Sequence, residues 1–230
     1  MYKILSRLGF VAFATAQCSL VFAADFSALV VGQPISDNTV KIGQFQLQLP
    51  EGQWTVVSAM ALRAGNQNGG SAVPTQLSIS VARVESAKVT GLLIFRAPAS
   101  SFLGVSRWND DPCSEIKEPL VKDTMKQNFR MPECFAVVKF PPSTITSATD
   151  GPMANIAQWL KDSKTNLPEN LLRVYYSKYN GGDFIHANMF LPGSAENYSA
   201  AETWGRGVAQ AIQKMVVRDS SIAVLPALPQ

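Results

Sequence analysis

Residues Gln44-Phe45-Gln46-Leu47-Gln48-Leu49 alternate polar and apolar side chains. Only an extended strand turns that alternation into one oily face and one wet face. The pattern predicts that Phe45, Leu47 and Leu49 look into a core while the glutamines look toward water. Pro50-Glu51-Gly52 breaks the strand, and runs of strand length follow at 54–62, 75–84 and 88–97. In the second of these Leu77, Ile79, Val81 and Arg83 share a face. The third contains Leu92-Leu93-Ile94-Phe95, the composition of a strand covered on both sides. Gly65-Asn66-Gln67-Asn68-Gly69-Gly70 between them reads as a turn, and the series as an antiparallel meander.

Residues 98–133 change character. Pro98-Ala99-Ser100-Ser101 and Trp108-Asn109-Asp110-Asp111-Pro112 have loop composition. Pro119 is placed to open a helix running to about Asn128, because the missing N–H of a proline costs nothing at a first helical position. A strand is expected at 134–140, then a helix from Asp150-Gly151-Pro152 with Met153, Ile156, Ala157 and Leu160 on one side. Strands at 171–178 and 183–190 flank Asn180-Gly181-Gly182, residues that tolerate the positive φ of a tight hairpin. Ser199-Ala200-Ala201-Glu202 has the spacing of a capping box, and Trp204, Val208, Ala211, Ile212 and Met215 form an apolar stripe suited to lying across a sheet. The proline-containing tail, 219–230, cannot continue that helix. The expected fold is α+β: an antiparallel β-sheet flanked by helices, one domain over 24–230 with an insertion-like excursion at 98–133.

The first 23 residues stand apart. Lys3 and Arg7 precede an uncharged, mostly apolar stretch at 8–22, and Val21-Phe22-Ala23 places small side chains where a signal peptidase needs them. This is the pattern of a cleaved secretory signal, with the cut expected between Ala23 and Ala24. Some fifteen helical residues reach only about 22 Å, short of the roughly 30 Å hydrocarbon core, so the stretch does not read as a membrane span. Cys18 follows Gln17 rather than a small residue, which argues against a lipid anchor. The protein is therefore expected in a bacterial periplasm or secreted, and not as an integral membrane protein after processing. Cys113 and Cys134 remain, and a pair of cysteines in an exported chain reads as a disulfide, here tying the excursion to the strand at 134–140.

With 47% hydrophobic and 16% charged residues among 230, the chain has the composition of a globular domain. Its 20 basic and 17 acidic residues are scattered, and the net +3 loses Lys3 and Arg7 with the signal. That balance excludes nucleic acid as a partner, because such binding draws its affinity from many phosphate neutralisations.

The segment Phe45-x-Leu47-x-Leu49-Pro50-x-Gly52-x-Trp54, leading into long paired strands, resembles the opening of PsbP-like extracytoplasmic domains. The closing strand pair and amphipathic helix are similar in order. The family contains photosystem subunits and assembly factors that act by binding, so the resemblance implies a sheet-and-helix fold and a non-enzymatic role. It carries no functional residue onto this chain.

Catalytic chemistry has few candidates. His186 is the only histidine, so no multi-histidine metal site exists, and a Ser-His-Asp arrangement finds no G-x-S-x-G elbow. In the middle of a strand, His186 reads as a hydrogen-bonded structural group. Ser114-Glu115-Ile116-Lys117 has the S-x-x-K spacing that, on a helix, sets an amine one turn from a hydroxyl. Ser36-Asp37-Asn38 and Lys88-Val89-Thr90-Gly91 echo the companion motifs of penicillin-binding enzymes in the wrong order and with a broken K-T-G. Asp110, Asp111, Glu115 and Glu118 lack the pattern of a calcium loop and read as acids complementing a helix start. Gly65–Gly70 has no following lysine for a phosphate loop. Asn197-Tyr198-Ser199 is a glycosylation sequon whose serine already serves as a cap. No metal site and no cofactor is expected. Trp54, Tyr175, Tyr179 and His186 are the candidate ligand-binding residues, with Tyr175 and Tyr176 on opposite faces of one strand. The sequence thus reads as an exported, non-catalytic envelope binding or assembly protein whose partner is another envelope protein. The alternatives are a periplasmic carrier with a small apolar ligand between sheet and helix, and a serine hydrolase using Ser114 and Lys117.

Overall fold

The computed structural model describes residues 26–62, 75–101, 111–126 and 131–229. The signal segment, the Gly65–Gly70 turn and Trp108 to Asp110 lie outside the described residues. After short 3-10 turns at Phe26–Ala28 and Ser36–Asn38 come β1 (Thr39–Ile42), β2 (Phe45–Gln48), β3 (Trp54–Leu62), β4 (Gln76–Glu85), β5 (Lys88–Pro98), β6 (Val121–Lys126) and β7 (Glu133–Phe140). Two helices follow, α1 (Pro142–Thr146) and α2 (Gly151–Ser163), then β8 (Leu171–Asn180), β9 (Asp183–Pro192), α3 (Tyr198–Val216) and β10 (Ala223–Val224).

The architecture is α+β. A seven-stranded antiparallel sheet runs β3-β4-β5-β9-β8-β7-β6, and a three-stranded sheet runs β1-β2-β10. The large sheet is two meanders, β3-β4-β5 and β6-β7-β8-β9, joined where β5 pairs antiparallel with β9. The expected single meander from residue 44 onward is therefore divided: β2 turns back on β1 through Gly43 and starts a separate sheet. Gly43 has φ +59°, and a Cβ there would run into the Pro98 carbonyl oxygen, so the close approach of the two sheets requires glycine. The tail does more than trail: Ala223 and Val224 add to β2 as a parallel strand.

One face of the large sheet, with the small sheet and α3, encloses the main core. Phe45, Leu47, Trp54, Val81, Phe95, Phe135 and Tyr176 meet Trp204, Val208 and Ile212 there. Phe45, Leu47 and Leu49 point inward, as the alternation requires. At Gly205 the helix comes so close to the sheet that a Cβ would collide with Val174 Cγ1. The same face holds a fully buried ion pair, Lys178 Nζ to Glu133 Oε2 at 2.6 Å, and Tyr176 Oη donates to Glu133 Oε1 at 2.7 Å. Burial beside that carboxylate pushes the Tyr176 phenol far above its usual range. On the opposite face α1 and α2 cover Val57, Ala82, Leu92, Ile94 and Phe190.

Two local readings are corrected. The helix expected from Pro119 is instead the strand β6, paired antiparallel with β7, and Leu120 N–H donates to Val137 O at 2.8 Å. Val-Lys-Asp-Thr has no helical stripe to bury, and Glu118 at φ +49° turns the chain just before the proline. Ser199 does not cap α3, because the helix begins one residue earlier and its N-cap position is Asn197. Asn197 Oδ1 accepts from Ser194 N–H at 2.7 Å, and Glu202 pairs with Arg206 at 2.9 Å.

Cys113 and Cys134 form the disulfide, with Cα atoms 5.4 Å apart. It holds the turn at 111–116 against β7, where Cys113, Ile116, Ala136, Val138 and Tyr175 make a small apolar cluster. No helix among the described residues is long and apolar enough to cross a membrane.

Candidate functional site

A strand puts every second residue on the same face, so the pairing registers dictate which side chains meet across the sheet. On the face turned away from α3, one row of directly opposed residues reads Ser78 on β4, Arg96 on β5, His186 on β9, Ser177 on β8 and Cys134 on β7. The neighbouring row reads Ser58, Ser80, Ile94, Asn188, Tyr175 and Ala136. A band of hydroxyl, amide, imidazole and guanidinium groups therefore crosses a sheet whose other face is largely apolar around the buried Lys178–Glu133 pair. It lies between the area covered by α2 and the turn held by the disulfide.

The imidazole of His186 is enclosed by its neighbours. Tyr179 Oη lies 2.9 Å from Nε2, and Tyr175 Oη and Ser177 Oγ lie 3.3 and 3.4 Å from Nδ1. The rings of Phe184 and Tyr179 meet it edge to face at centroid distances of 4.9 and 5.2 Å. Burial, reinforced by the positive charge of Arg96, pushes His186 down to about 3, so it is neutral at physiological pH. A neutral imidazole offers one donor and one acceptor and is a weak base. No carboxylate among the described residues hydrogen-bonds it. Such a group is poorly suited to moving a proton near neutral pH.

Arg173 donates through Nε to Asn188 Oδ1 at 2.7 Å, and its guanidinium lies 5.1 Å over the Tyr175 ring. Burial lowers its pKa, against the opposing influence of Tyr175 and Glu115. Burial raises the Tyr175 phenol, while its hydrogen bond with Ser177 and the charges of Arg173 and Arg96 work the other way. Ser78 and Ser80 are fully buried on this face, and their Oγ atoms have no hydrogen-bond partner among the described residues.

Of the four residues singled out from sequence, the structure brings Tyr175, Tyr179 and His186 together and sets Trp54 apart. Trp54 lies on the opposite face, fully buried, donating its indole N–H to Pro50 O at 2.8 Å. Its role is core packing. Sequence reasoning missed Arg96, Arg173, Ser78 and Ser80. The alternation at 75–84 already placed the two serines together, and Arg96 is a charge closing an apolar run. The hydrolase candidates lose their geometric premise: Ser114 is exposed in a turn and Lys117 in the irregular chain just after it, neither on a helix. Of the acids nearby, Asp111, Glu115 and Glu118 stand at no helix start either, Asp110 lies outside the described residues, and Asp111 Oδ1 accepts from Cys113 N–H at 2.8 Å. Among the described residues no group of three or more His, Cys, Asp or Glu side chains is placed to hold a metal ion.

Compared with family models, with curated proteins and with solved structures, the chain matches none.

Proposed function

We propose that this chain is an exported, non-catalytic binding protein of the bacterial cell envelope, acting on a partner or ligand through the polar face of its large sheet. One observation carries the reading: both ring nitrogens of His186 lie against tyrosine and serine hydroxyls, and among the described residues no nucleophile, base and orienting acid stand in series around it. The signal-like segment at 1–23 and the Cys113–Cys134 disulfide support export, since such bonds persist in oxidising compartments. The PsbP-like pattern at 45–54 supports a binding role.

The test is crosslinking in the intact envelope, followed by native, non-reducing mass spectrometry of the purified protein. A reproducible crosslinked partner, lost when Tyr175→Ala and Tyr179→Ala are combined, is the expected result. A small non-covalent mass on the protein instead of a partner would make it a carrier. Turnover of ester or peptide substrates that requires His186 would overturn the reading.

A further inference from the structure

One ion pair lies wholly inside the main core. Glu133 on β7 and Lys178 on β8 are directly opposed, each side chain 1% exposed, with Nζ 2.6 Å from Oε2. Tyr176 Oη donates to the other carboxylate oxygen at 2.7 Å. Every other ion pair among the described residues has at least one side chain more than a third exposed. A buried pair gains little over two apolar side chains of similar volume, because desolvation of both charges offsets their attraction. What it adds is selectivity, since separating the two leaves a bare charge in the core. We infer that the Glu133–Lys178 pair fixes the register of β7 on β8, and with it the placement of β6 and of the disulfide-held turn beside Tyr175.

The rest of the pairing leaves room for a slip. A tight turn joins β8 to β9 and sets their alignment. Residues 141–170, which carry α1 and α2, join β7 to β8, and a connection of that length imposes no register. Facing the core beside the ion pair are Phe135 and Val137 on β7 and Tyr176, Val174 and Leu172 on β8. A slip of two residues keeps the same faces inward, setting Phe135 opposite Val174 in one direction and opposite Lys178 in the other. Apolar contacts are then exchanged for similar ones. The charges are not, because two residues move the strands by about 7 Å and the carboxylate no longer faces the ammonium. The disulfide does not block this movement, since it binds the turn at 111–116 to β7 itself. Lys122 Nζ and Thr124 Oγ1 of β6 also donate to Cys113, to O at 3.2 Å and to Sγ at 3.7 Å. Turn, β6 and β7 thus travel together, and the register decides where Cys113 and Ile116 meet Tyr175 of β8.

The experiment compares the exported, disulfide-bonded protein with the double variant Glu133→Leu, Lys178→Met, which makes this part of the core apolar throughout. Urea unfolding reads stability, and cross-strand NMR contacts read the register. The unaltered protein should give one set of contacts, with Ala136 opposite Tyr175 and Cys134 opposite Ser177. The double variant should fold with a urea midpoint at or above that of the unaltered protein. It should also show a second set of β7 resonances, with Ala136 meeting Arg173 or Ser177. That set should reach about a tenth of the main one, the ratio that a register gap of about 1.4 kcal/mol gives. Arg83→Gln, which removes the exposed Arg83–Glu85 pair, should keep a single set. Where the double variant does not fold, the exchange Glu133→Phe with Phe135→Glu decides: the relocated carboxylate should draw β7 along by two residues and bring Ala136 opposite Ser177. A folded double variant with native contacts alone would overturn the inference, whatever its midpoint. So would an exchanged protein that keeps Ala136 opposite Tyr175.

Discussion

At His186 the surroundings decide the charge. In the unfolded chain its imidazole protonates near 6.5, whereas in the folded protein it holds out to about 3. Between those values the unfolded state binds the extra proton, so protonation draws the equilibrium toward unfolding. The stability linked to neutral His186 is complete above pH 6.5 and is lost progressively as pH falls toward 3. The urea midpoint of the wild-type protein should therefore fall more steeply between pH 7 and pH 4 than that of His186→Gln, since carboxylates titrate in both. Parallel curves would mean that His186 protonates as readily in the folded protein as in the unfolded chain. Much of this environment was readable in the sequence: with Asn180-Gly181-Gly182 as the turn, the β8–β9 hairpin places Ser177 opposite His186, and Tyr175 and Tyr179 share its face by parity. Arg96 was not readable beside it, because β5 is ninety residues away along the chain and nothing in its sequence names β9 as its neighbour.

Among the elements, α3 shows what a strong local pattern secures and what it leaves open. Its apolar stripe identifies the helix and the face that packs, and Trp204, Val208, Ile212 and Met215 are buried on the sheet. How close the helix comes depends on Gly205, where any Cβ meets Val174 and Phe135 side chains. Gly205→Ala should destabilise by about 1–3 kcal/mol despite alanine's better helix propensity, because the core is overpacked and the helix must lift. Chemical denaturation with both variants at the same pH measures this, and a stabilised Gly205→Ala would show that the helix has room to shift. β6 is the opposite case. Val121 to Lys126 has neither a helical stripe nor a long alternation, so its state is set by the open edge of β7 with which it pairs.

For the molecule as a whole, the tail after α3 ties the two sheets together. Leu225 N–H donates to Gln48 O at 2.9 Å, Trp204 Nε1 donates to Pro226 O at 3.0 Å, and Leu228 lies over Gly91 and Trp54. Beside it a cleft of about 670 Å³ opens between the start of α3 and the strand ends, with Arg83 and Glu85 on its rim and Leu172, Leu191 and Leu228 within. Ending the chain after Ser221 strips β2 of its parallel neighbour and exposes Trp54 and Trp204. Thermal unfolding should then begin several degrees lower, at about 2–4 °C per kcal/mol for a domain of this size. An unchanged transition would show that the tail rests on the surface without stabilising it.

Local patterning was enough for the strands from 54 to 98, the β8–β9 hairpin, α2 and α3, and for the facing of side chains wherever no bulge shifts the alternation, as one does between Val56 and Ser58. These follow from parity, helical periodicity and turn chemistry, all of which act over a few neighbouring residues. The departure of β1 and β2 from the meander into a second sheet, its completion in parallel by β10, and the joining of the two halves of the large sheet by β5 and β9 come from long-range pairing alone. Strand pairing is a choice between distant segments with similar exposed backbones, and a single chain carries no local mark of the partner. The polar band that joins Ser78, Arg96 and His186 exists because of that choice.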